Sequence, residues 1–443
     1  MDRSSGEGRL TGETESVDLI SRSRELETAA FGAVLEGDTE SRMQWATPDG
    51  HEIVGRGVAA RFTATGADRF DRIRTQARRA FDGLTHDGPD HARPRAFGGF
   101  SFHDGHKAAP PWIGFGAASF VVPQLFVTRT DDGTWLTAVG HRVDEAEDRL
   151  ERWHDRLTDL PVTRNDETTP GVAATRRTTS QATWTEQVEA ALERIDDGRL
   201  TKVVLAQSLS VDLEDPIDVP ATLERLRRRY PNCYGFQIGH DAGGTFFGAP
   251  PERLVSKRGA HVETEALAGS VPRGDTPAED EAHVERMRAD AKFQHEHGLV
   301  VDAIREQLAP FARELSVSKQ TIRRLATIQH LRTPIEATLE GDRHVLELVE
   351  ALHPTPAVGG VPPEAAWETI RDTEPFDRGW YAAPVGWFDA AGDGEFAVGL
   401  RSGVATGETV TLFAGNGIVA DSDPDEEWDE VQLKFRPILD ELR

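Results

Sequence analysis

Between about residues 30 and 160 the chain alternates short apolar runs with charged stretches. Ala96-Phe97-Gly98-Gly99-Phe100-Ser101-Phe102 reads as a glycine-punctuated aromatic strand, and residues 119–127 as a second apolar strand. Residues 144–158 read as a charged helix. From Pro161 to Gln181 the chain turns to Thr, Pro, Arg and Asp without periodicity, which marks a linker. Thr183-Trp184-Thr185-Glu186 then matches a capping box. Val188, Ala191, Leu192 and Ile195 follow at helical spacing, and Gly198 supplies a stop. Residues 200–207 have strand composition. A single long helix is predicted over 278–308, strands near 386–388, 395–401 and 410–413, and a helix from Asp425 onward. Strands and helices without a regular βαβ rhythm predict an α+β class. No repeat of 20–50 residues is present. The boundaries predicted are an acidic disordered leader over 1–25, an N-terminal α+β half over 26–160, a linker over 161–182 and the main region over 183–443.

Composition narrows the function. The 443 residues carry 76 acids against 50 basic residues, a net charge of −26. A binder of phosphate backbones needs the opposite sign, so nucleic acid is a poor partner. No stretch of 18 apolar residues occurs, so no membrane span is expected. The single cysteine, Cys233, cannot form an internal disulfide, and a reducing, cytoplasmic setting is expected. Only six of the basic residues are lysines: Lys107, Lys202, Lys257, Lys292, Lys319 and Lys434. An acidic, lysine-poor surface reads as adaptation to high salt.

Against that background Lys202 stands out, because it lies in an apolar strand and shares a face with Val204 and Ala206. Apolar neighbours would favour a neutral amine, able to take a proton from water. A strand-edge lysine with its head in solvent fits the same pattern. Glu252 follows a rigid Pro250-Pro251 corner, which presents it either to a cleft or to a surface arginine. Ala266-Leu267-Ala268-Gly269-Ser270 ends a strand in small residues, suited to close approach of an anion or to an ordinary turn. Gly415-Asn416-Gly417 reads as another turn, and lacks the third glycine of a dinucleotide fingerprint.

The acidic run 421–430 fails as a calcium loop, since Glu426 occupies the glycine position and Gln432 the closing acid position. As a helix start it places Glu427, Glu430 and Lys434 on one face. That face suits Mg²⁺ if a second carboxylate opposes it, or is simply a solvated acidic face. Glu296, inside His295-Glu296-His297, is the candidate for that second carboxylate or a solvated helix acid. The two flanking histidines point to different sides, so no zinc-protease signature is present.

In order and spacing these segments resemble the chorismate-utilising enzymes, and among them most closely the isochorismate synthases. The motifs are Lys202-Val203-Val204-Leu205-Ala206, Gly248-Ala249-Pro250-Pro251-Glu252-Arg253-Leu254, Thr264-Glu265-Ala266-Leu267-Ala268-Gly269-Ser270 and Glu296-His297. Gln329-His330-Leu331-Arg332, Leu352-His353-Pro354-Thr355-Pro356-Ala357, Glu374-Pro375-Phe376-Asp377-Arg378-Gly379, Arg401, and Glu430 with Lys434 follow in family order. One departure is Pro250, where the family usually has Ser or Thr.

The resemblance implies a large α+β chorismate-binding fold, with antiparallel or mixed sheets packed centrally and helices outside, and 183–443 as its catalytic region. It implies chorismate as substrate, Lys202 as general base and Glu252 as general acid. Mg²⁺ is implied on Glu296 and Glu430, with Glu427 alongside. Gly269, Ser270, His330, His353, Tyr381, Arg401, Gly417 and Lys434 are implied to hold the substrate. Lysine at position 202 favours water over ammonia as nucleophile, so no glutaminase subunit is expected, and the protein is expected to be a monomer or homodimer. Menaquinone synthesis is the expected destination of the product. A salicylate synthase, which eliminates pyruvate from isochorismate, is the alternative. An amine-forming relative and a non-catalytic cation-binding protein are more distant ones.

Overall fold

The computed structural model describes residues 18–27, 31–37, 39, 41–159, 168–240, 243–325 and 328–443. Two large sheets dominate, of thirteen and ten strands among these residues, with the helices packed around them. The α+β expectation is met.

The larger sheet runs from the edge strand Val172–Arg177 through Lys202–Leu213, Thr409–Ile418, Ser402–Thr406, Thr245–Gly248 and Gly235–His240. It continues through Ser41–Ala46, Glu52–Arg56, Leu125–Thr130, Gly133–Gly140 and Ile20–Leu26 to Thr85–Asp87. The smaller sheet runs from Ala312–Val317 through Ile328–Leu339, His261–Pro272, Arg253–Arg258, Gly394–Val398, Pro384–Asp389 and Arg95–Phe100 to Ala118–Val122 and Ala60–Ala64. Both sheets therefore mix strands from either side of the 161–182 segment. Ser41–Ala46 pairs antiparallel with Gly235–His240, and Arg95–Phe100 with Pro384–Asp389. One apolar core joins the sheets, taking Phe246 and Leu412 from the first and Val385 and Phe396 from the second.

Several local expectations are corrected. Ile20–Leu26 is a strand, so part of the segment read as a leader is built into the larger sheet; residues 1–17 lie outside the described residues. Val172–Arg177, inside the segment read as a linker, pairs with Lys202–Leu213. Its exposed Ala, Thr and Arg side chains hid it, because a strand with neither face buried has no apolar alternation to show. The helix after it starts at Gln181, with Ser180 as N-cap accepting from the Thr183 amide, rather than at the Thr183 box. The long helix is two, Pro277–Ala289 and Ala291–Leu308. They are divided at Asp290, whose extended backbone (ψ 121°) ends one while its side chain caps the next. The run 119–127 is likewise two strands in different sheets, parted at Pro123.

Candidate active site

Lys202 begins the Lys202–Leu213 strand and lines a cavity with Val204. Its partner strand, Thr409–Ile418, sets Gly417 opposite Val204 and Gly415 opposite Ala206. Gly415-Asn416-Gly417 is thus strand interior, not the expected turn. These glycines make room. A Cβ on Gly417 would stand 3.0 Å from Lys202 Cε and 3.2 Å from Glu296 Oε1, and one on Gly415 3.1 Å from the Tyr381 hydroxyl.

Lys202 is 2% exposed, and its Nζ donates to Glu296 Oε1 at 2.8 Å. The amine is therefore one member of a buried pair with a carboxylate, not the isolated group that apolar neighbours alone imply. Burial pushes the Glu296 carboxyl up, but the Lys202 ammonium outweighs it and holds the group below its ordinary value. Glu296 sits on Ala291–Leu308. The next residue, His297, turns to the sheet and meets Thr333 Oγ1 at 2.8 Å, while His295 is exposed.

Glu252 enters the same cavity behind the proline corner and is 4% exposed. Burial pushes its carboxyl up to about 8, with the nearby Glu265 carboxylate adding to the shift. It is therefore protonated at neutral pH, as a proton donor requires. Arg323 holds the corner, donating to Pro251 O and to Glu265 Oε1, each at 2.6 Å, and Arg332 also pairs with Glu265.

The Pro424–Leu442 helix supplies the facing wall, with Glu427, Glu430 and Lys434. Asp423 caps it by accepting from the Asp425 and Glu426 amides. Lys434 Nζ lies 3.0 Å from Glu430 and donates to Gly415 O at 3.1 Å. Asn416 holds the Glu427 carboxyl, which burial pushes up to about 7. Among the described residues no three His, Cys, Asp or Glu side chains converge on one point. Glu296 and Glu430 are each paired with a lysine.

On the smaller sheet, a bulge between Ala268 and Ser270 puts Gly269 at φ 75°, a backbone conformation that favours glycine. His330 Nδ1 lies 3.0 Å from Ser270 Oγ and 3.3 Å from Gly269 O. Burial, with Arg401 and Lys434 nearby, pushes this imidazole down to about 3, so it is neutral. Its buried Nε2 has no protein partner. Ala382 (φ 57°) and Arg401 (φ 46°) take left-handed backbone without being glycine, and both line the cavity. Such strain collects where surroundings must hold a site in one shape. Tyr381 stacks on Phe413 at 5.3 Å, and burial raises its hydroxyl's pKa.

His353 is the exception among the expected site residues. It does not line the cavity: its Nε2 is spent on Phe102 O at 3.0 Å, and its ring packs edge-on to Phe102. Conversely, Asn416 and Lys292 line the cavity without having been singled out. For Lys292 the signal was lysine scarcity: Lys202, Lys292 and Lys434, half of the six lysines in the chain, gather in this one cavity.

The chain matches the family model described as "Chorismate binding enzyme" over residues 8–443. It is 35% identical over 441 residues to isochorismate synthase MenF of Bacillus subtilis, covering 96% of this chain and 93% of that one. It is 35% identical over 448 residues to the salicylate biosynthesis isochorismate synthase of Pseudomonas aeruginosa, covering 98% and 93%. The solved structure of MenF, the menaquinone-specific isochorismate synthase from Escherichia coli, superposes with a TM-score of 0.81 at 28% identity, covering 96% of this chain and 94% of that one.

Proposed function

The chain belongs to the chorismate binding enzymes, and on that premise we propose that it converts chorismate to isochorismate. The observation that carries this reading is the pairing, in one cavity, of a buried lysine with a buried carboxylic acid that stays protonated at neutral pH. An allylic displacement by water needs a base where water enters and an acid where hydroxide leaves. Lys202 takes a proton from the water whose oxygen bonds to the ring carbon beside the carboxylate-bearing one. The double bonds shift, the bond to the ring hydroxyl breaks, and Glu252 protonates the departing oxygen to give water. Each proton transfer is worth about 10²–10⁴-fold.

Arg401 and Lys434 offer cationic partners for the enolpyruvyl carboxylate, the former through its planar fork. Tyr381 lines the same region. Gly269 and Gly417 keep the walls thin enough for backbone donors to approach, and His330 Nε2 is left to meet a substrate hydroxyl. The carboxylates of Glu296 and Glu430, with Glu427 beside them, are the hard oxygen donors that suit Mg²⁺, an ion content with one or two carboxylates plus water and substrate. When bound, the ion would neutralise the ring carboxylate and compete with Lys202 for Glu296. Water as nucleophile requires no ammonia-supplying subunit. Menaquinone is the pathway we favour for the product, in line with the named role of the Escherichia coli enzyme.

Purified protein incubated with chorismate and Mg²⁺ in high salt tests the reading through its products. Isochorismate alone supports it. Salicylate with pyruvate moves the assignment to a salicylate synthase, an aminated product on adding ammonia moves it to the amine-forming branch, and no conversion overturns it.

A further inference from the structure

The strand that carries Lys202 has a gap along one edge. Lys202 and Val203 pair there with Gly360–Val361, and the stretch from Leu209 onward pairs with Val172–Arg177. Between them, the backbone groups of Val204, Ala206 and Ser208 face an edge that no strand among the described residues covers. Unpaired buried amides and carbonyls are costly, so each needs another partner. Val204 N–H donates to Gly359 O at 2.8 Å, and Thr178 serves Ser208 from its amide and its hydroxyl. The centre of the gap is closed by two side chains. Ala206 N–H donates to Glu374 Oε1 at 2.8 Å, and Arg378 Nη2 donates to Val204 O at 2.6 Å.

Glu374 and Arg378 are themselves an ion pair, with Arg378 Nε donating to Glu374 Oε2 at 2.8 Å, and their side chains are 2% and 3% exposed. The guanidinium does more than plug the edge. Its Nη1 donates to Val358 O at 2.9 Å, fixing a segment whose Ala357 and Val358 line the cavity. Its Cζ lies over the Phe102 ring, 4.5 Å from the ring centre. The main-chain carbonyl of Arg378 accepts from the amide of Tyr381, another cavity residue, at 2.9 Å. The side chain thus ties two pieces of cavity wall together, the Lys202 strand at Val204 and the Ala357-Val358 segment, while the main chain of the same residue meets a third at Tyr381; a planar fork suits the side chain's part, because a lysine has one nitrogen to offer.

We propose that the Glu374–Arg378 pair is a positioning device for the reaction, setting the Lys202 strand against the Ala357-Val358 wall. Neither residue lines the cavity itself. The inference rests on the proposed chorismate chemistry only for its kinetic arm. Misplacement of a catalytic group by about 1 Å can cost on the order of 10²-fold in rate, so the pair should show in kcat rather than in KM.

The test is Arg378→Lys, Glu374→Gln and the double variant in the full-length protein, with two readouts. In the first, amide hydrogen exchange over residues 202–208 should quicken in each variant, while exchange in the distant Ser41–Ala46 strand stays at the wild-type rate. In the second, kcat for chorismate should fall about 10–100-fold with KM within about twofold, and the double variant should be no worse than Arg378→Lys alone, as for residues acting as one unit. Unchanged exchange at 202–208, or unchanged kcat per folded molecule, overturns the proposal. So does faster exchange throughout the chain, which would make the pair a fold element only. If wild-type protein fails to convert chorismate, the functional reading falls by itself, and the exchange arm still decides whether the pair anchors the strand.

Discussion

Gly417 and Lys202 lie so close across adjacent strands that a single added methyl on the glycine would reach Lys202 Cε at 3.0 Å. The glycine is there for space rather than for backbone freedom. Gly417→Ala is expected to displace the amine, lowering kcat about 10–100-fold at a stability cost of about 1–3 kcal/mol. Steady-state kinetics and thermal unfolding check both figures. Full activity in a folded variant would show that the amine's position there is unimportant.

Lys202→Ala is expected to abolish isochorismate formation, by at least about 10²–10⁴-fold, with the circular dichroism of the fold retained. Lys202→Gln, which keeps a hydrogen-bond donor for Glu296, is expected to be as inactive but more stable. Product analysis by chromatography separates loss of the base from loss of folding.

Glu252 is expected to trade stability for chemistry. Its carboxyl is raised in the folded protein from 4.5 to about 8. The folded state therefore holds its proton longer than the unfolded chain, and stability present below pH 4.5 is lost as pH rises through about 8. Glu252→Gln removes that titration. Its melting temperature should exceed that of the wild type by more at pH 9 than at pH 5, while kcat drops about 10²–10⁴-fold. The wild-type rate should decline on the alkaline side with a midpoint near 8. A variant whose melting temperature differs from wild type equally at both pH values would show that the acid is not raised.

Removal of divalent cations by EDTA is expected to stop turnover, and Mg²⁺ to restore it. Glu430→Gln should raise the Mg²⁺ concentration for half-maximal rate about 10–100-fold. Turnover that persists after exhaustive chelation would remove the ion from the scheme.

With a net charge of −26 and six lysines, the folded chain is expected to gain stability in molar KCl as self-repulsion is screened. Melting temperatures between 0.1 and 2 M KCl measure this; a flat profile would argue against a high-salt protein.

Sequence alone reached the fold class and most of the cavity. Read singly, Lys202, Glu252, Glu296 and Glu430 each kept a structural alternative, and it was the resemblance to the chorismate-utilising enzymes, carried by their order along the chain, that gathered them into one site. What sequence did not show was pairing. That Gly415-Asn416-Gly417 is strand rather than turn depends on 203–212 lying beside it, which local composition does not encode. The Lys202–Glu296 ion pair joins residues 94 positions apart. His353 shares its neighbourhood in sequence with true cavity residues, yet its ring is claimed by a carbonyl 251 positions away. Val172–Arg177 carried no apolar alternation because side chains on both of its faces are exposed, leaving no buried face to alternate with.

The hydrogen bond from Ser41 Oγ to Gly239 O closes a span of 198 positions between neighbouring strands of the larger sheet. At roughly 5–20 residues per second on the ribosome, the Ser41–Ala46 strand waits roughly 10–40 s for its partner to be synthesised. Throughout that interval it offers an open edge to any other nascent chain. A topology of such distant pairings folds slowly, so the edge stays open for as long as its partner is missing.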